Sequence, residues 1–239
     1  MSPDPLLRVQ ELIKRFGGFR ALDGVSFHLV AGEVLGLVGP NGSGKTTCIN
    51  VISGLYAPDG GSVRFEGNLI AGTRADRLAR AGINRTFQSP KPFLSLTVRE
   101  NVDIAATYGN TGEPVDLDAL LASLELDAHA RRPAADLNSA QQKTLDLARA
   151  LATRPRLLLV DELAAGLNPA ELGRMADRLR ALAHGGMALL VVEHLMGFID
   201  KVTDRVIVMN AGREIFEGTL SEATRDKTVV QVFLGGHSA

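Results

Sequence analysis

Val34-Leu35-Gly36-Leu37-Val38-Gly39-Pro40-Asn41-Gly42-Ser43-Gly44-Lys45-Thr46-Thr47 decides how this chain folds. Its first five residues are an apolar run too short for a helix, which reads as a strand buried on both faces. The next eight, Gly39 to Thr46, match G-x-x-x-x-G-K-[ST] and lead into a helix. Glycines at such a turn let successive backbone N–H groups point inward around phosphate oxygens, and the helix N-terminus adds partial positive charge. In that reading Gly39, Pro40, Asn41, Gly42, Ser43, Gly44 and Thr47 build a cradle, Lys45 brings a point charge to β- and γ-phosphates, and the Thr46 hydroxyl holds Mg²⁺. The alternative is a Gly-rich turn that binds nothing.

Working outward, two further apolar runs, Leu157 to Val160 and Ala188 to Val192, are each followed by a helical pattern. The expected core is therefore α/β with a mostly parallel, doubly wound sheet. Leu7, Val9 and Leu12, then Val25, Phe27 and Leu29, flank the turn signal Gly17-Gly18 and predict an antiparallel β subdomain. From Thr97 to Thr153 the strand signal disappears. Leu117 to Leu126 and Gln141 to Ala152 carry helical spacing, Tyr108 to Val115 reads as a loop, and Arg131-Arg132-Pro133 as a break. A helical subdomain over 97–153 is expected, inserted between 1–96 and 154–239 of a single domain. Val206, Val208 and Ile215 predict two closing strands around Asn210-Ala211-Gly212, with a short helical tail.

Composition narrows the partners. The 239 residues are 45% hydrophobic and carry a formal charge of −1, so there is no basic field to neutralise a nucleic-acid backbone. The 25 glycines exceed the average of roughly 7%, and many fall at strand-to-helix turns. A single cysteine, Cys48, excludes an internal disulfide and fits a reducing compartment. It reads either as a thiol activated near a helix N-terminus or as a small core residue. No apolar run approaches the roughly 20 residues of a membrane span, and Met1 to Pro5 lacks the pattern of a signal peptide. Any membrane role is expected through a partner.

The run Leu157 to Val160 ends in Asp161-Glu162. Asp161 can hold Mg²⁺ through water, and Glu162 can orient an attacking water or accept its proton. Either carboxylate alone would be an ordinary solvated strand end; with the phosphate loop they become a Walker B pair. His194 follows the strand at 188–192 and is expected at the same sheet edge, as a γ-phosphate contact or a structural histidine. Gln88, in Thr86-Phe87-Gln88-Ser89-Pro90, is ambiguous by itself.

In their order along nearly the whole chain, these motifs resemble the nucleotide-binding subunits of ABC transporters, which have a P-loop NTPase core. That resemblance makes Phe16 an adenine-stacking aromatic, Gln88 a Q-loop residue that touches Mg²⁺, Leu137 to Gln142 a signature-like segment, and His194 a switch histidine. Phe16-Gly17-Gly18, Arg85 to Gln88, Leu96 to Val102 and Ala164 to Pro169 are most similar to branched-chain amino acid importer ATPases of the LivG type. The family implies ATP and Mg²⁺ as ligands, and catalytic roles for Glu162, His194 and Gln88. It implies a head-to-tail pair with a second ATPase subunit, identical or paralogous, in which each nucleotide lies between one phosphate loop and the other signature. Transmembrane permease subunits would contact Ser89 to Leu96, a solute-binding protein would act indirectly, and the chain would sit on the cytoplasmic face of the membrane. Other readings are a nucleotide-gated structural or regulatory subunit with weak hydrolysis, and a soluble ABC protein of translation or DNA repair. The last usually needs two fused cassettes or a long coiled-coil insertion, for which this chain has no room.

Two departures stand out. The family signature reads Leu-Ser-Gly-Gly-Gln or Leu-Ser-Tyr-Gly-Gln, whereas this chain has Leu137-Asn138-Ser139-Ala140-Gln141. Asn138 replaces a serine that contacts the partner's γ-phosphate, and the Ala140 Cβ would add about 1 kcal/mol of strain if its backbone were left-handed. The segment also reads as a helix start, Asn138 as N-cap and Gln141 as its reciprocal partner, a role the substitutions preserve. The expectation is a retained helix with a weakened grip on the partner's nucleotide. At 163 a leucine stands where the family usually has a proline that stiffens the turn aiming the glutamate. Leu163→Pro is predicted to leave ATP turnover equal or higher, and a clear fall in a steady-state assay would contradict the stiffening role.

Overall fold

The computed structural model describes residues 4–109, 112 and 114–235. Met1 to Pro3, where no signal peptide was expected, lie outside the described residues, as do 110, 111 and 113 of the expected 108–115 loop. The strands are β1 (Leu7–Phe16), β2 (Phe19–Leu29), β3 (Val34–Val38), β4 (Gly60–Phe65), β5 (Asn68–Leu69), β6 (Ile83–Arg85), β7 (Leu157–Asp161), β8 (Ala188–Val192), β9 (Arg205–Asn210) and β10 (Arg213–Gly218). The helices are α1 (Lys45–Ile52), α2 (Ala75–Arg80), α3 (Val98–Gly109), α4 (Leu117–Ser123), α5 (Ser139–Leu151), α6 (Pro169–His184), α7 (Met196–Val202), α8 (Leu220–Ala223) and α9 (Lys227–Gly235).

One sheet runs β10-β9-β3-β8-β7-β6, parallel from β9 to β6 and antiparallel only at its β10 edge. Every residue of β3, β7 and β8 is buried. The two-residue period of a strand then divides the core. Leu158, Val160, Leu189, Val191, Val206 and Val208 face a cluster with α5, α6 and α7. Leu35, Leu37, Leu159, Leu190 and Ile207 face the opposite cluster, which includes Cys48 and Ile49 of α1 and the inward side of the second sheet. Cys48 is thus a core residue, and burial pushes its thiol up to about 12, far from a nucleophile's range.

The second sheet, β2-β1-β4-β5, is the antiparallel one expected from the opening residues. Its inward residues Leu7, Val9 and Leu12 break strict alternation because the register slips after Val9, where Glu11 sits at φ 47°. The extra residue returns Leu12 to the buried face. Opposite the bulge Gly61 has φ 78°, and a Cβ there would lie 2.2 Å from the Glu11 carbonyl oxygen. The short β5 and β6 carry too few residues to show a pattern, so the sequence reading passed over them.

Helices fill most of 97–153, and α3 continues through Tyr108 and Gly109, residues expected in a loop. The break at Arg131 to Pro133 lies between short 3₁₀ turns at Asp127–His129 and Ala134–Asp136. Asn138 caps α5 as its spacing predicts: its side chain accepts from the Gln141 N–H at 2.9 Å, and the Gln141 side chain accepts from the Asn138 N–H at 3.1 Å. Ala140 falls in the first turn of that helix and has no positive φ, so the strain of a left-handed alanine does not arise.

Gly36, in the middle of β3, has no room for a side chain: a Cβ would lie 2.9 Å from Val206 Cγ1 and 3.0 Å from Thr203 Cγ2. Gly36→Ala is predicted to destabilise the chain by roughly 1–3 kcal/mol through overpacking, read as a lower urea midpoint at unchanged slope.

Candidate functional site

The carboxyl ends of β3, β8, β7 and β6 lie side by side, and each delivers one of the residues singled out in the sequence. After β3 the chain turns through Gly39 (φ 146°), Gly42 (φ 78°) and Gly44 (φ 107°) into α1. A Cβ on Gly39 would lie 2.2 Å from the Met209 carbonyl oxygen, and one on Gly44 2.6 Å from that of Ala21. Glycine is therefore required on steric as well as conformational grounds. No side chain caps α1, so its first N–H groups are left to a ligand or solvent. The Lys45 ammonium lies within the loop, donating to the carbonyls of Gly39 (2.8 Å) and Pro40 (2.9 Å). Burial lowers its pKa from the ordinary lysine value, opposed by the charges of Glu162 and Asp161.

An open cavity of about 340 Å³ over this loop is lined by Phe16, Phe19, Asn41, Gly42, Gly44, Lys45, Thr46, Thr47, Glu162 and His194, among others. Phe16 stands at its rim, packed edge-on against Tyr56 with ring centroids 5.3 Å apart, and remains 44% exposed. At the other end Glu162 accepts two contacts: Oε2 from Gln88 Nε2 at 2.5 Å and Oε1 from His194 Nε2 at 3.0 Å. Three loops that follow three different strands thus meet on one carboxylate.

Asp161 is placed differently. It is buried and paired with Arg85, Oδ2 to Nη2 at 2.9 Å. Burial raises its pKa above the usual carboxylate value and Arg85 opposes that. Arg85 also donates to Asn50 Oδ1 (2.7 Å) and Ser53 Oγ (3.1 Å) of α1 and its cap, tying β6, β7 and α1 together. Among the described residues no cluster of three or more His, Cys, Asp or Glu could hold a metal. Oxygen donors on Thr46, Asp161 and the Gln88 amide nevertheless suit Mg²⁺, which usually takes one or two protein ligands besides phosphate oxygens and water.

Asn138, Ala140 and Gln141 do not line this cavity. They border a separate one of about 310 Å³ with His129, Arg174 and Arg178. Within one chain the signature-like segment and the phosphate loop do not meet.

A family described as ABC transporter matches residues 22–165. The high-affinity branched-chain amino acid transport ATP-binding protein BraF of Pseudomonas aeruginosa is 35% identical to this chain, over 97% of the chain and 98% of that protein. This chain belongs to the ABC transporter family. The corresponding LivG protein of Escherichia coli is 34% identical over 97% of this chain and 98% of its own. Among solved structures, the ADP conformation of MJ1267, an ATP-binding cassette of an ABC transporter, superposes with a TM-score of 0.88 at 33% identity, covering 98% of this chain and all of that one (100%).

Several residues that shape the site escaped the sequence reading. Arg85 has no motif of its own to mark it, and Phe19 faces Phe16 across a hairpin register visible only once the strands pair. Asp146, buried on α5, accepts from the Phe87 N–H at 2.8 Å and so holds the backbone next to Gln88. Glu193, beside His194, is 2% exposed and accepts from the Ala164 N–H at 2.6 Å. Burial pushes its pKa up to about 7, while the Ala164 and His194 amides and Lys143 pull it down and Glu162 adds to the rise. A carboxyl with a raised folded-state pKa binds its proton more tightly folded than unfolded, so its stabilising contribution is lost as pH rises from about 4.5 through about 7. Glu193→Gln mimics the protonated form. Relative to the parent it is predicted to gain stability between pH 5 and 8, by up to roughly 3 kcal/mol in urea titrations, with little difference at pH 4.5.

Proposed function

We propose that this chain binds Mg-ATP and hydrolyses it to power a membrane importer for branched-chain amino acids or related small polar solutes. The observation that carries the reading is the Glu162 carboxylate, held between Gln88 and His194 at the mouth of a glycine cradle that contains Lys45. The cradle amides and Lys45 suit the β- and γ-phosphates, and Phe16 offers a face for the adenine. Thr46, Asp161 and Gln88 are the residues that would hold Mg²⁺; when bound, the ion neutralises charge developing on the phosphates. Glu162 lies where it can orient a water toward the γ-phosphorus and take its proton as the new P–O bond forms and the β–γ bridge breaks. His194, on the other oxygen of the same carboxylate, can steady the γ-phosphoryl group as ADP departs.

The separation of signature and cradle within one chain favours a two-subunit site, with a second ATPase subunit completing each nucleotide pocket. Segment 89–96 carries the exposed Phe93 and Leu94. Phe93, together with Phe87, Ile104, Tyr108 and Arg149, borders a groove of about 380 Å³ suited to a permease's cytoplasmic helix. Among the described residues no helix is long and apolar enough to cross a membrane. The cargo follows the named relatives, which are branched-chain amino acid transport ATP-binding proteins, with any solute-binding protein acting indirectly. A weakly hydrolysing regulatory role draws no support: Glu162, His194 and Gln88 are assembled, and the relatives carry the names of transport ATP-binding proteins.

Turnover of ATP by the purified chain is the test. Glu162→Gln should lower kcat by about 100-fold or more while leaving nucleotide binding intact. Because Asn138 is engaged in capping and Ala140 is unstrained, Asn138→Ser/Ala140→Gly should stay within a few-fold of the parent. A parent no faster than Glu162→Gln would refute hydrolysis as the function.

A further inference from the structure

The backbone that carries Glu162 is not a relaxed turn. Glu162 has φ 47°, a left-handed conformation that a residue with a side chain adopts only when its surroundings impose it. Those surroundings hold the turn from two sides. The Glu162 N–H donates to the Val192 carbonyl at 2.9 Å, and the Ala164 N–H to the Glu193 carboxylate at 2.6 Å. From the other side Lys143 Nζ donates to the carbonyls of Glu162 (3.2 Å), Leu163 (3.1 Å) and Ala165 (2.5 Å). An ammonium has three donors, and here all three go to one four-residue turn.

Both side chains are buried, Lys143 to 6% and Glu193 to 2% exposure, and neither lines the phosphate cavity. Burial lowers the Lys143 pKa from its ordinary value, with Glu193 and Glu162 opposing the shift. Lys143 sits one turn into α5, whose first residues are the signature-like segment, and Glu193 immediately precedes His194. The turn is thus pinned to the two elements whose placement matters most for Glu162.

We propose that Lys143 and Glu193 are positioning residues for hydrolysis, a buried two-sided clamp that holds the 162–165 turn and so aims the Glu162 carboxylate between Gln88 and His194. The clamp does what a proline at 163 would do by covalent stiffness, and it makes the orientation of α5 and the orientation of Glu162 one mechanical unit. This inference rests on the reading of Glu162 as the group that acts on water. When the clamp is released, the turn relaxes from its left-handed conformation and the carboxylate leaves its partners, whereas the cradle is untouched. The expected signature is therefore a fall in kcat without loss of nucleotide affinity.

The experiment compares the full chain with Lys143→Met, Lys143→Arg, Glu193→Ala and Glu162→Gln, measuring steady-state ATP turnover, equilibrium binding of ATP, and amide hydrogen exchange at Glu162 and Ala164. Lys143→Met should lower kcat by about 10- to 100-fold, change affinity less than about two-fold, and speed exchange at both amides. Lys143→Arg, which keeps several donors, should recover most of the turnover. Should Lys143→Met not fold, Glu193→Ala probes the same turn from the opposite side with the same expected split. Unchanged kcat in a folded clamp variant, with Glu162→Gln inactive, overturns the clamp and leaves the Glu162 reading standing. Equal losses of kcat and affinity overturn it as well, since they mark general damage. An active Glu162→Gln would instead remove the premise on which the clamp rests.

Discussion

Three strands buried on both faces, β3, β8 and β7, cannot carry polar chemistry along their length, because an unpaired polar group there would lose its water without recompense. Function is pushed to where the strands end. Since β3, β8, β7 and β6 are parallel neighbours, their carboxyl ends fall on one edge, and the loops after them bring together the glycine cradle, His194, Glu162 and Gln88. Residues more than 100 positions apart, such as Lys45 and Glu162, thereby share one cavity. The rest of the molecule serves this edge. The antiparallel sheet brings Phe16 to its rim, and α5 supports the loops from behind.

That edge is rigid in a particular way. Arg85 welds Asp161 to α1, Asp146 fixes the backbone ahead of Gln88, and Lys143 and Glu193 grip the turn after Asp161. Each is an ionisable group removed from water, and each satisfies the backbone or an opposite charge in return. Partly satisfied buried charges are destabilising, so a set this complete is expected only where geometry has to be held closely. The conformational cost is concentrated at Glu162, held left-handed at the point where its carboxylate faces the cavity.

A second consequence of the architecture is separation. The segment that begins with Asn138 starts a well-capped helix and borders its own cavity, away from the cradle. One chain therefore carries the cradle and the signature-like segment on two separate cavities, and a groove near Phe93 and Tyr108 is a third concave surface. This division favours a subunit whose work depends on assembly.

The amino-acid sequence by itself determined the α/β class, the phosphate loop, the Asp161-Glu162 pair, the antiparallel start and the capping of α5. In each of these the information is local: a glycine spacing, a two-residue period, an Asn followed three residues later by a Gln. Tertiary structure alone decided that Glu162 sits between Gln88 and His194, that Asp161 faces Arg85, that Ala140 is unstrained, and that Lys143 and Glu193 hold a turn distant from both of them in sequence. A buried lysine or glutamate looks like any surface charge in a sequence, because its partners are backbone groups brought to it by strand order and helix packing. Spacing along the chain records what one element will do, whereas the pairing of buried charges depends on which elements become neighbours.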